Sequence, residues 1–423
     1  MLDIKLIREK PDYVKRAIES KGYAAPIDEI LKLDNEHRKL QKQLDDLRAK
    51  KNEVTKLIGR LGTDERKKLI IDVKQVDRQA DNLTNEVTAI NDKLQKLLLL
   101  LPNLPATDVK VGEGEKQNEV IKIVGKPVKF SFPARDHLEL GNSLDAIDTE
   151  RAAKVSGSRF GYLKNQGAML EFALIKFTFD KLIKKGFKPI IPPVMVKDEI
   201  MQDTGHLMPD EESERYFYPE DKLYLVGTSE QSVVPMHKDE VFNEKDLPLR
   251  YVAFSTCFRR EAGSYGKDVK GILRVHQFDK VEMISFTRPE DSDREHEFLF
   301  SLEKELMKDL KLPHRLVKMC TGDLGATAAR KYDIETWLPS QNTYRETHST
   351  SNCTDFQARR LNIRLRRGGK IEFVHTLNGT AIATGRMLIA ILENCQKKDG
   401  SVEIPRILQK YCGFKKIVSL PRK

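Results

Sequence analysis

Two runs of residues spaced alternately four and three apart dominate the first hundred positions, and each holds for about four heptads. Such a seam predicts two helices packed as a coiled coil. The short break that holds Gly59 and Gly62 makes them antiparallel, with Thr63 or Asp64 as a natural N-cap for the second helix. At 1.5 Å per residue, the hairpin of about 28–101 would form an arm of roughly 50 Å. The seam positions are Leu33, His37, Leu40, Leu44, Leu47, Lys51, Val54, Ile58 and Leu61, then Leu69, Val73, Val76, Ala80, Leu83, Val87, Ile90, Leu94, Leu97 and Leu101.

The prolines at 102 and 105 end the arm, and the chain that follows predicts a compact body. We expect an N-terminal domain of residues 1–105 and a second domain of 106–423 that opens with a linker over 106–135. A helix over 163–186 and several hairpin-connected strands favour an antiparallel α+β fold. Neither GxGxxG nor a Walker lysine motif occurs in the sequence. The expected strands are 222–227, 251–258, 273–286, 360–366 and 371–377, the last two joined by the turn Arg367-Gly368-Gly369-Lys370.

Charge and cysteine content limit which partners and which cellular compartment we expect for the protein. Lysine and arginine total 74 against 64 acidic residues, and the net charge of +10 suits a polyanionic partner but also many other basic proteins. The five scattered cysteines form no CxxC pair and no zinc-type spacing with histidine, which is typical of reduced thiols in the cytoplasm. The charged N-terminus and the lack of a long apolar run predict neither a signal peptide nor a membrane span. We expect a soluble, cytoplasmic protein.

A strand, a loop rich in glycine and lysine, and a second strand are predicted around the segments FRREAGS and RVHQFDKVE. Alternation along the first strand places Arg259 and Glu261 on one face. The same rule places His276, Phe278 and Glu282 on one face of the second strand. A guanidinium, an aromatic ring and two carboxylates on one surface suit a ligand of mixed character, such as a purine nucleoside triphosphate. The alternative is a solvated charged hairpin, which fits the aromatic and glycine positions poorly.

These segments resemble a known motif. FRREAGS followed by RVHQFDKVEM is similar to the motif 2 hairpin of class II aminoacyl-tRNA synthetases, and it most resembles the bacterial-type seryl-tRNA synthetases. The resemblance extends from MLDIKLIREKPDYVK to LNGTAIATGRMLIAILENCQ, which is nearly the whole chain. It implies the class II α+β fold, an antiparallel sheet flanked by helices. It also implies that the coiled-coil arm belongs to an N-terminal tRNA-binding domain.

The resemblance assigns one set of residues to serine. Thr228 and Glu230, which we expect on one strand face, would bind the amino acid. Without the family, the alternative is an exposed strand end that carries a polar pair. Arg259 would bridge the serine carboxylate and the α-phosphate of ATP. Glu282 and Thr380 would form the polar end of the pocket and hydrogen-bond the serine hydroxyl. The full set is Thr228, Ser229, Glu230, Arg259, Glu282 and Thr380.

A second set is implied for ATP, the co-substrate. Glu261 and the backbone near Val275 would contact the adenine amine, while Phe278 and Arg386 would stack on opposite faces of the ring. From the sequence alone, Arg386 is equally well a solvated helix residue. Arg259 and Arg386 receive the catalytic roles, through positioning and charge, and no covalent catalyst is expected. The full set is Arg259, Arg260, Glu261, Val275, Phe278, Glu346, Thr347, His348, Ser349 and Arg386.

A magnesium site is implied at Glu346 and Ser349, since these match the family positions that hold Mg²⁺ against the triphosphate and their oxygens suit that ion. Alternation would place the two side chains on opposite faces of a strand, so a bulge or a strand end must intervene. His348 is expected to be a structural hydrogen-bonding residue. Thr347 and His348 replace a more usual apolar and serine pair.

The activity implied by the resemblance is ATP-dependent formation of seryl-adenylate from L-serine, followed by transfer of serine to the 3′ end of tRNA(Ser). Whether tRNA(Sec) is charged as well stays open. The segment GFKPIIPP resembles motif 1, so we expect a homodimer with 189–196 at a two-fold interface and no membrane partner. The arm would present basic residues to tRNA: Arg38, Lys39, Lys42, Arg48, Lys50, Lys51 and Lys56.

Two other functions compete with this one. A synthetase-like enzyme could load a carrier protein instead of tRNA, but the full-length arm argues against it. A non-catalytic coiled-coil or RNA-binding protein with a dead pocket is the other alternative. The joint presence of the arginines, carboxylates and phenylalanine of the two sets argues against it.

Overall fold

The computed structural model of the protein describes residues 1–58, 63–208, 212–262 and 270–419. Its internal contacts divide the chain into two units. The first comprises Met1–Glu19 and Tyr23–Pro102, and the second comprises Ser20–Gly22 and Asn103–Lys423. The first unit thus ends near the predicted domain boundary at 105.

Helices are the only regular secondary structure in the described part of the first unit, and its two long helices pack against each other. Every seam position whose side chain is described is buried or half-buried, and Leu44, Val87, Leu94 and Leu101 are the most deeply buried. The coiled-coil prediction is therefore confirmed. The predicted turn and N-cap lie outside the residues and side chains that are described. The helices are α1 Ile4–Glu9, α2 Pro11–Glu19, α3 Ile27–Ile58 and α4 Thr63–Leu99.

Most of the basic residues predicted to face tRNA are exposed on α3, as expected. Lys51 differs, because it occupies a seam position and its ammonium pairs with Asp77 of α4 at 2.5 Å. Lys51 is thus half-buried and ion-paired, whereas the other basic residues predicted to face tRNA are exposed. The reason is that a lysine at a seam position lies within reach of the partner helix.

The second unit combines nine short to medium helices with eighteen strands in its described part. The helices are α5 His137–Ser143, α6 Thr149–Ser156, α7 Asn165–Ile183, α8 Asp198–Asp203, α9 Glu230–Val233, α10 Ser292–Leu310, α11 Phe356–Leu361, α12 Thr384–Asn394 and α13 Arg406–Cys412. The strands are β1 Glu119–Val124, β2 Ile147–Asp148, β3 Tyr162–Leu163, β4 Lys188–Ile190, β5 Met195–Lys197, β6 Phe217–Tyr218, β7 Leu223–Leu225, β8 Val241–Asn243, β9 Leu249–Phe258, β10 Gln277–Thr287, β11 His314–Lys318, β12 Arg330–Leu338, β13 Thr343–Asn352, β14 Arg364–Arg367, β15 Lys370–Phe373, β16 His375–Ala383, β17 Val402–Glu403 and β18 Lys416–Ile417.

An eight-stranded sheet forms the centre of this unit, in the order β1-β11-β12-β13-β16-β10-β9-β4. All neighbours are antiparallel except β4, which runs parallel to β9 at one edge. Helices α7, α10 and α12 pack on the sheet, and the stretch 387–392 of α12 is fully buried. Continuous burial of that helix explains why it is apolar on nearly every side. The antiparallel α+β prediction is confirmed.

Several predicted element bounds need correction. The strand predicted at 360–366 begins only at Arg364, because α11 continues to Leu361 and Asn362 closes it in the left-handed region, with φ of 54°. The strand predicted at 273–286 begins at Gln277. The strand predicted at 222–227 is limited to the three residues of β7.

The predicted Arg367-Gly368-Gly369-Lys370 turn is confirmed. Arg367 pairs with Lys370 across it, and Gly368 and Gly369 have φ of 54° and 77°. Two positive φ angles in a two-residue hairpin favour glycine at both positions. The strand predicted at 371–377 divides into β15 and β16, and the predicted linker supplies β1, the edge strand of the large sheet. Within the described ranges, no helix combines the length and apolar character that crossing a bilayer requires.

Candidate active site

A cavity of about 270 Å³ lies against one face of the large sheet, where side chains of β10, β13, β16 and the start of α12 converge. Most of the predicted site residues line it. These are Thr228, Glu230, Arg259, Glu261, Val275, Phe278, Glu282, Glu346, Thr347, Ser349, Thr380 and Arg386.

The β9–β10 hairpin forms the wall of the cavity that carries Arg259, Glu261 and Phe278. Strand β9 pairs with β10 up to Phe258, and Arg259 follows directly after it. The Arg259 Nε and Nη2 both donate to the Gly227 carbonyl at 3.2 Å, and its guanidinium carbon lies 5.5 Å from the centroid of the Phe278 ring. Arg259 therefore links the hairpin to the loop after β7. An arginine held this way presents its remaining donors to the cavity.

Glu261 reaches the cavity by another route than predicted. It does not lie on the strand, which ends at Phe258, and its φ of 51° turns the chain instead. Its carboxylate accepts from Arg274 Nη1 at 3.3 Å, and its carbonyl accepts from Arg159 Nη1 at 2.6 Å. The prediction that Arg259 and Glu261 share a strand face is thus wrong, although both side chains line the cavity. His276 also precedes β10 and is not on the cavity wall.

A buried polar cluster closes the other end of the cavity around Glu282. Its carboxylate accepts from the hydroxyls of Thr228 and Ser229 and from the ammonium of Lys280, which lies 2.6 Å away. Burial raises the pKa of Glu282, but Lys280 and the two hydroxyls outweigh that effect, so the pKa lies below its usual value. Thr380 is the direct cross-strand partner of Glu282 on β16. Directly opposed residues lie on the same sheet face, so the carboxylate and a further hydroxyl meet here.

The prediction that Thr228 and Glu230 share a strand face is wrong. Thr228 lies in the loop after β7, and Glu230 opens the short helix α9. Both nevertheless line the cavity. The Glu230 Oε1 accepts from Gln357 Nε2 at 2.7 Å, and its Oε2 lies 3.8 Å from Nε2 of His206.

Strand β13 brings the predicted magnesium ligands together. In its pairing with β12, His348 faces Ile334 while Glu346 faces Glu335, so Thr347 is an extra residue on β13. This bulge turns Glu346 and Ser349 toward the same cavity. The predicted interruption of the strand alternation is confirmed.

The charges around Glu346 keep it ionised. Desolvation raises its pKa, but Arg386, Lys331 and Arg259 outweigh this and hold the pKa at about 2. The Arg386 Nη1 lies 3.4 Å from a carboxylate oxygen of Glu346 and donates to its carbonyl at 2.9 Å. Burial, partly offset by Lys331, raises the pKa of the neighbouring Asp333 to about 7. An ionised carboxylate beside a serine hydroxyl is a donor set for a hard cation.

Three predicted site residues lie off the cavity wall. Ser229 is fully buried behind it and contacts the cavity only through Glu282. His348 is also fully buried, with Nδ1 2.9 Å from the Thr347 hydroxyl, and burial lowers its pKa to about 3, in agreement with a structural role. Arg260 points elsewhere, with its guanidinium 5.3 Å from the centroid of the Tyr216 ring.

Six polar residues on the cavity wall were not predicted from the sequence: His206, Arg215, Arg274, Lys280, Lys331 and Asn378. Lys280 was detectable, because it alternates with Phe278 and Glu282 on one face of β10. Asn378 lies two positions before Thr380 on β16 and was detectable by the same rule. Arg274 stands in the quoted segment RVHQFDKVE. His206, Arg215 and Lys331 stand in no motif, and only the tertiary fold brings these three to the cavity.

An antiparallel sheet that carries this hairpin, with Arg259 directly after the hairpin's first strand and Arg386 at the start of α12, defines the core of a class II aminoacyl-tRNA synthetase. Comparison with protein-family models agrees: residues 216–395 match the tRNA synthetase class II core domain for G, H, P, S and T. Residues 1–105 match the seryl-tRNA synthetase N-terminal domain.

Relatives that match over nearly their whole length show to which family of class II synthetases the chain belongs. The chain is 46% identical to the serine–tRNA ligase of Pseudothermotoga lettingae over 98% of this chain and 99% of the relative. It is 46% identical to that of Thermobifida fusca over 98% of both chains. Among solved structures, seryl-tRNA synthetase from Pyrococcus horikoshii complexed with ATP matches with a TM-score of 0.92 and 44% identity, covering 99% of this chain and 100% of that one. The chain belongs to the seryl-tRNA synthetases.

Proposed function

We propose that the protein activates L-serine with ATP to form seryl-adenylate and then transfers serine to the 3′ end of tRNA(Ser). The observation that carries this proposal is a single cavity that joins two chemically different ends. One end has Phe278, Arg259 and Arg386, which suit a nucleotide. The other has the Glu282 cluster, which suits a small hydroxylated amino acid.

Serine would lie between Arg259 and Glu282. The guanidinium would take the serine carboxylate together with the α-phosphate of ATP. Glu282 already accepts three hydrogen bonds, and a carboxylate has about four lone-pair sites, so one position remains for the serine hydroxyl. Thr380, opposite Glu282, would complete that contact. Glu230 would bind the α-ammonium.

ATP would occupy the wall formed by the hairpin and α12. Phe278 would stack on the adenine, with Arg386 on the other face, and Glu261 would accept from the exocyclic amine with help from the backbone at Val275. Thr347 would form part of the cavity wall that contacts ATP. Ser229 and His348 would act only as supports, because both are fully buried behind that wall.

Mg²⁺ fits the residues at the β13 bulge. The ionised Glu346 carboxylate and the Ser349 hydroxyl are hard oxygen donors that face one cavity. Across the described part of the chain no group of three or more acidic, histidine or cysteine side chains could hold a metal by itself. Magnesium typically takes one or two carboxylates and completes its shell with phosphates and water, so a sparse protein donor set is the expected one. When bound, the ion would neutralise phosphate charge.

Both reaction steps depend on how the site would position the reacting groups. The serine carboxylate attacks the α-phosphate in line and pyrophosphate leaves. The terminal ribose hydroxyl of tRNA then attacks the acyl carbon, loses its proton and displaces AMP. Arg259 and Arg386 would hold the reacting groups and offset the charge that develops on the phosphoryl oxygens. The arm α3–α4 would bind tRNA, and the enzyme would act as a homodimer through 189–196. Five reduced cysteines support an origin in a reducing compartment such as the cytoplasm.

Two assays separate this function from its alternatives. Serine-dependent exchange between ATP and pyrophosphate tests the first step, and a protein with a dead pocket would show none. Charging of tRNA(Ser) tests the second step, and an enzyme that loads a carrier protein would exchange pyrophosphate without charging tRNA. Charging of tRNA(Sec) in the same assay answers the question that the sequence leaves open.

A further inference from the structure

Lys280 is a buried cation on the cavity wall to which the proposed reaction gives no role. Its side chain is 8% exposed, and its Nζ lies 2.6 Å from Oε1 of Glu282, whose side chain is 4% exposed. The two residues stand two positions apart on β10, so both side chains lie on the same face of the sheet. Their charges therefore meet inside the protein, where salt and water screen them little.

The directly opposed residues on the flanking strands bring no charge to this pair. Four residues lie opposite Lys280 and Glu282, and none of the four is charged: Ser255 and Ala253 on β9, Ala383 and Thr380 on β16. A cation at hydrogen-bond distance from the Glu282 carboxylate thus comes from its own strand.

The titratable groups that other elements bring to this part of the cavity do not replace Lys280. Burial raises the pKa of the Cys257 thiol on β9 and lowers the pKa of His206, so both groups are uncharged near neutral pH. Arg259 and Glu230 add one charge of each sign to the same wall. The guanidinium of Arg259 is held by the Gly227 carbonyl.

The partners of Glu282 differ in how they respond to its protonation. The hydroxyls of Thr228 and Ser229 contact Oε2 at 2.5 and 2.6 Å. A hydroxyl can donate or accept, so these two can adapt to a protonated carboxyl by turning their own protons away. The ammonium of Lys280 has donors only and a positive charge, so it favours the ionised carboxylate. Burial raises the pKa of Glu282, and Lys280 is the largest of the effects that lower it below its usual value.

The charge of Glu282 decides how well the site rejects an amino acid without a hydroxyl. A bound serine would donate its hydroxyl proton to the carboxylate, whereas alanine would place a methyl group there and leave a buried charge short of a donor. A neutral carboxyl would lose less, because hydrogen bonds to charged groups are roughly twice as strong as neutral ones.

We propose that Lys280 is a specificity-determining residue that acts through Glu282, by keeping this carboxylate ionised as the acceptor of the serine hydroxyl. This rests on the proposed function, which places serine in this cavity. Lys280 need not touch the substrate. The selectivity requires its positive charge, and not the length or the packing of its side chain.

The test measures the serine-to-alanine ratio of kcat/KM in pyrophosphate exchange with the full-length enzyme. Both amino acids are compared on one preparation, so the ratio does not depend on how much of a variant is folded. In the parent the ratio should be constant between about pH 6 and 8, because Glu282 is ionised throughout that range. This first measurement needs no variant.

Two substitutions of Lys280 separate its charge from its size. Lys280→Met keeps a long side chain and removes the charge. We expect it to narrow the ratio by about 10-fold at pH 6, as is typical when a hydrogen bond to a charged group is replaced by one to a neutral group. The ratio should recover as the pH rises to about 8 and Glu282 loses its proton. Lys280→Arg retains a cation and should keep the ratio within a few-fold of the parent at every pH.

The Glu282→Gln background identifies the group that titrates. Without the carboxyl, adding Lys280→Met should introduce no dependence of the ratio on pH. Three results overturn the proposal: a parent ratio that varies across this range, a ratio in Lys280→Met that does not, or the same effect of Lys280→Met with and without the Glu282 carboxyl. Absence of serine-dependent exchange in the parent would instead overturn the proposed function.

Discussion

At the residue scale, neighbours in the sequence have very different surroundings. Arg259 is held by the Gly227 carbonyl and faces Phe278 in the cavity, while Arg260 lies over the Tyr216 ring outside it. Both residues follow the end of β9 at Phe258, where the chain turns, and their guanidinium groups have different partners. This pair offers a matched comparison, because both substitutions remove the same side chain from adjacent positions.

Arg259→Ala should lower serine-dependent pyrophosphate exchange by about 10²- to 10³-fold or more, as is typical when a donor to developing negative charge is removed. Arg260→Ala should lower it only a few-fold, because that guanidinium is not on the cavity wall. Steady-state exchange kinetics measure both. A similar loss in the two variants would show that Arg260 does contact ATP.

Selectivity for serine should depend on Glu282. A site that hydrogen-bonds a substrate hydroxyl rejects the analogue lacking it by about 10⁴-fold, because its own polar groups would stay unpaired. Alanine should therefore be a very poor substrate. Glu282→Gln should reduce serine activation and narrow the serine-to-alanine ratio of kcat/KM. Equal ratios in the two proteins would place the hydroxyl contact elsewhere.

At the scale of elements, helix α10 supports the sheet beneath the site with a buried histidine. His296 has no exposed surface, and its Nε2 lies 3.1 Å from the Thr350 carbonyl of β13. Burial, only partly opposed by this contact, lowers the pKa of His296 to about 4. Between pH 6.5 and about 4, His296 is therefore neutral in the folded protein but protonated in the unfolded chain.

This pKa predicts a pH-dependent stability. Because the unfolded chain binds this proton and the folded protein does not, lowering the pH favours unfolding. The contribution of His296 to the free energy of unfolding is therefore fully present above pH 6.5 and is lost as the pH falls from 6.5 to about 4. The difference in unfolding free energy between the parent and His296→Gln should shrink by about 3 kcal/mol from pH 7 to pH 4. Urea denaturation followed by the fluorescence of Trp337, the single tryptophan, measures it. A constant difference across the range would contradict the pKa.

The arm makes a second prediction at this scale. Helix α3 alone has 32 residues, or about 48 Å of helix at 1.5 Å per residue. Replacing residues 37–97 by a short glycine-rich turn should abolish charging of tRNA(Ser) and leave serine-dependent exchange intact. Equal loss of both activities would mean that the arm is needed for folding, and undiminished charging would mean that it does not bind tRNA.

A milder change tests the charge of the arm. Lys39→Gln with Lys42→Gln removes two exposed cations from α3 and keeps its hydrophobic seam. Binding of tRNA(Ser) should weaken and should depend less steeply on salt, because fewer counterions are released. Pyrophosphate exchange serves as the control and should not change.

The elements differ in how far the sequence predicts them. The seam of the coiled coil was predicted correctly at each position whose side chain is described, because a heptad repeat depends on local spacing alone. Phe278 and Glu282 were predicted from strand alternation. Glu230 was placed on a strand but opens a helix, since a three-residue stretch such as TSE carries no periodicity. His206 could not be predicted, because it meets Glu230 only through the tertiary fold.

At the scale of the whole molecule, large apolar side chains are exposed within the predicted dimerisation segment and on α7. Ile191 is 78% exposed and Phe172 of α7 is 67% exposed. Helix α7 packs against β4, the edge strand that leads to Ile191. Exposed large apolar side chains beside a free strand edge are typical of an interface with another protein chain. A second copy of this chain is the expected partner, since closed two-fold dimers are the commonest oligomers.

Sedimentation velocity at micromolar concentration should therefore find a dimer, and Ile191→Asp should shift it toward the monomer, because the interface would have to bury an unpaired carboxylate. The matched control is Val155→Asp, which introduces the same charge at a comparably exposed apolar position on α6, 72% exposed, and should leave the dimer intact. If the parent is a monomer, the two-fold interface at 189–196 is wrong. If Ile191→Asp stays dimeric while the parent is a dimer, the two copies meet through another surface.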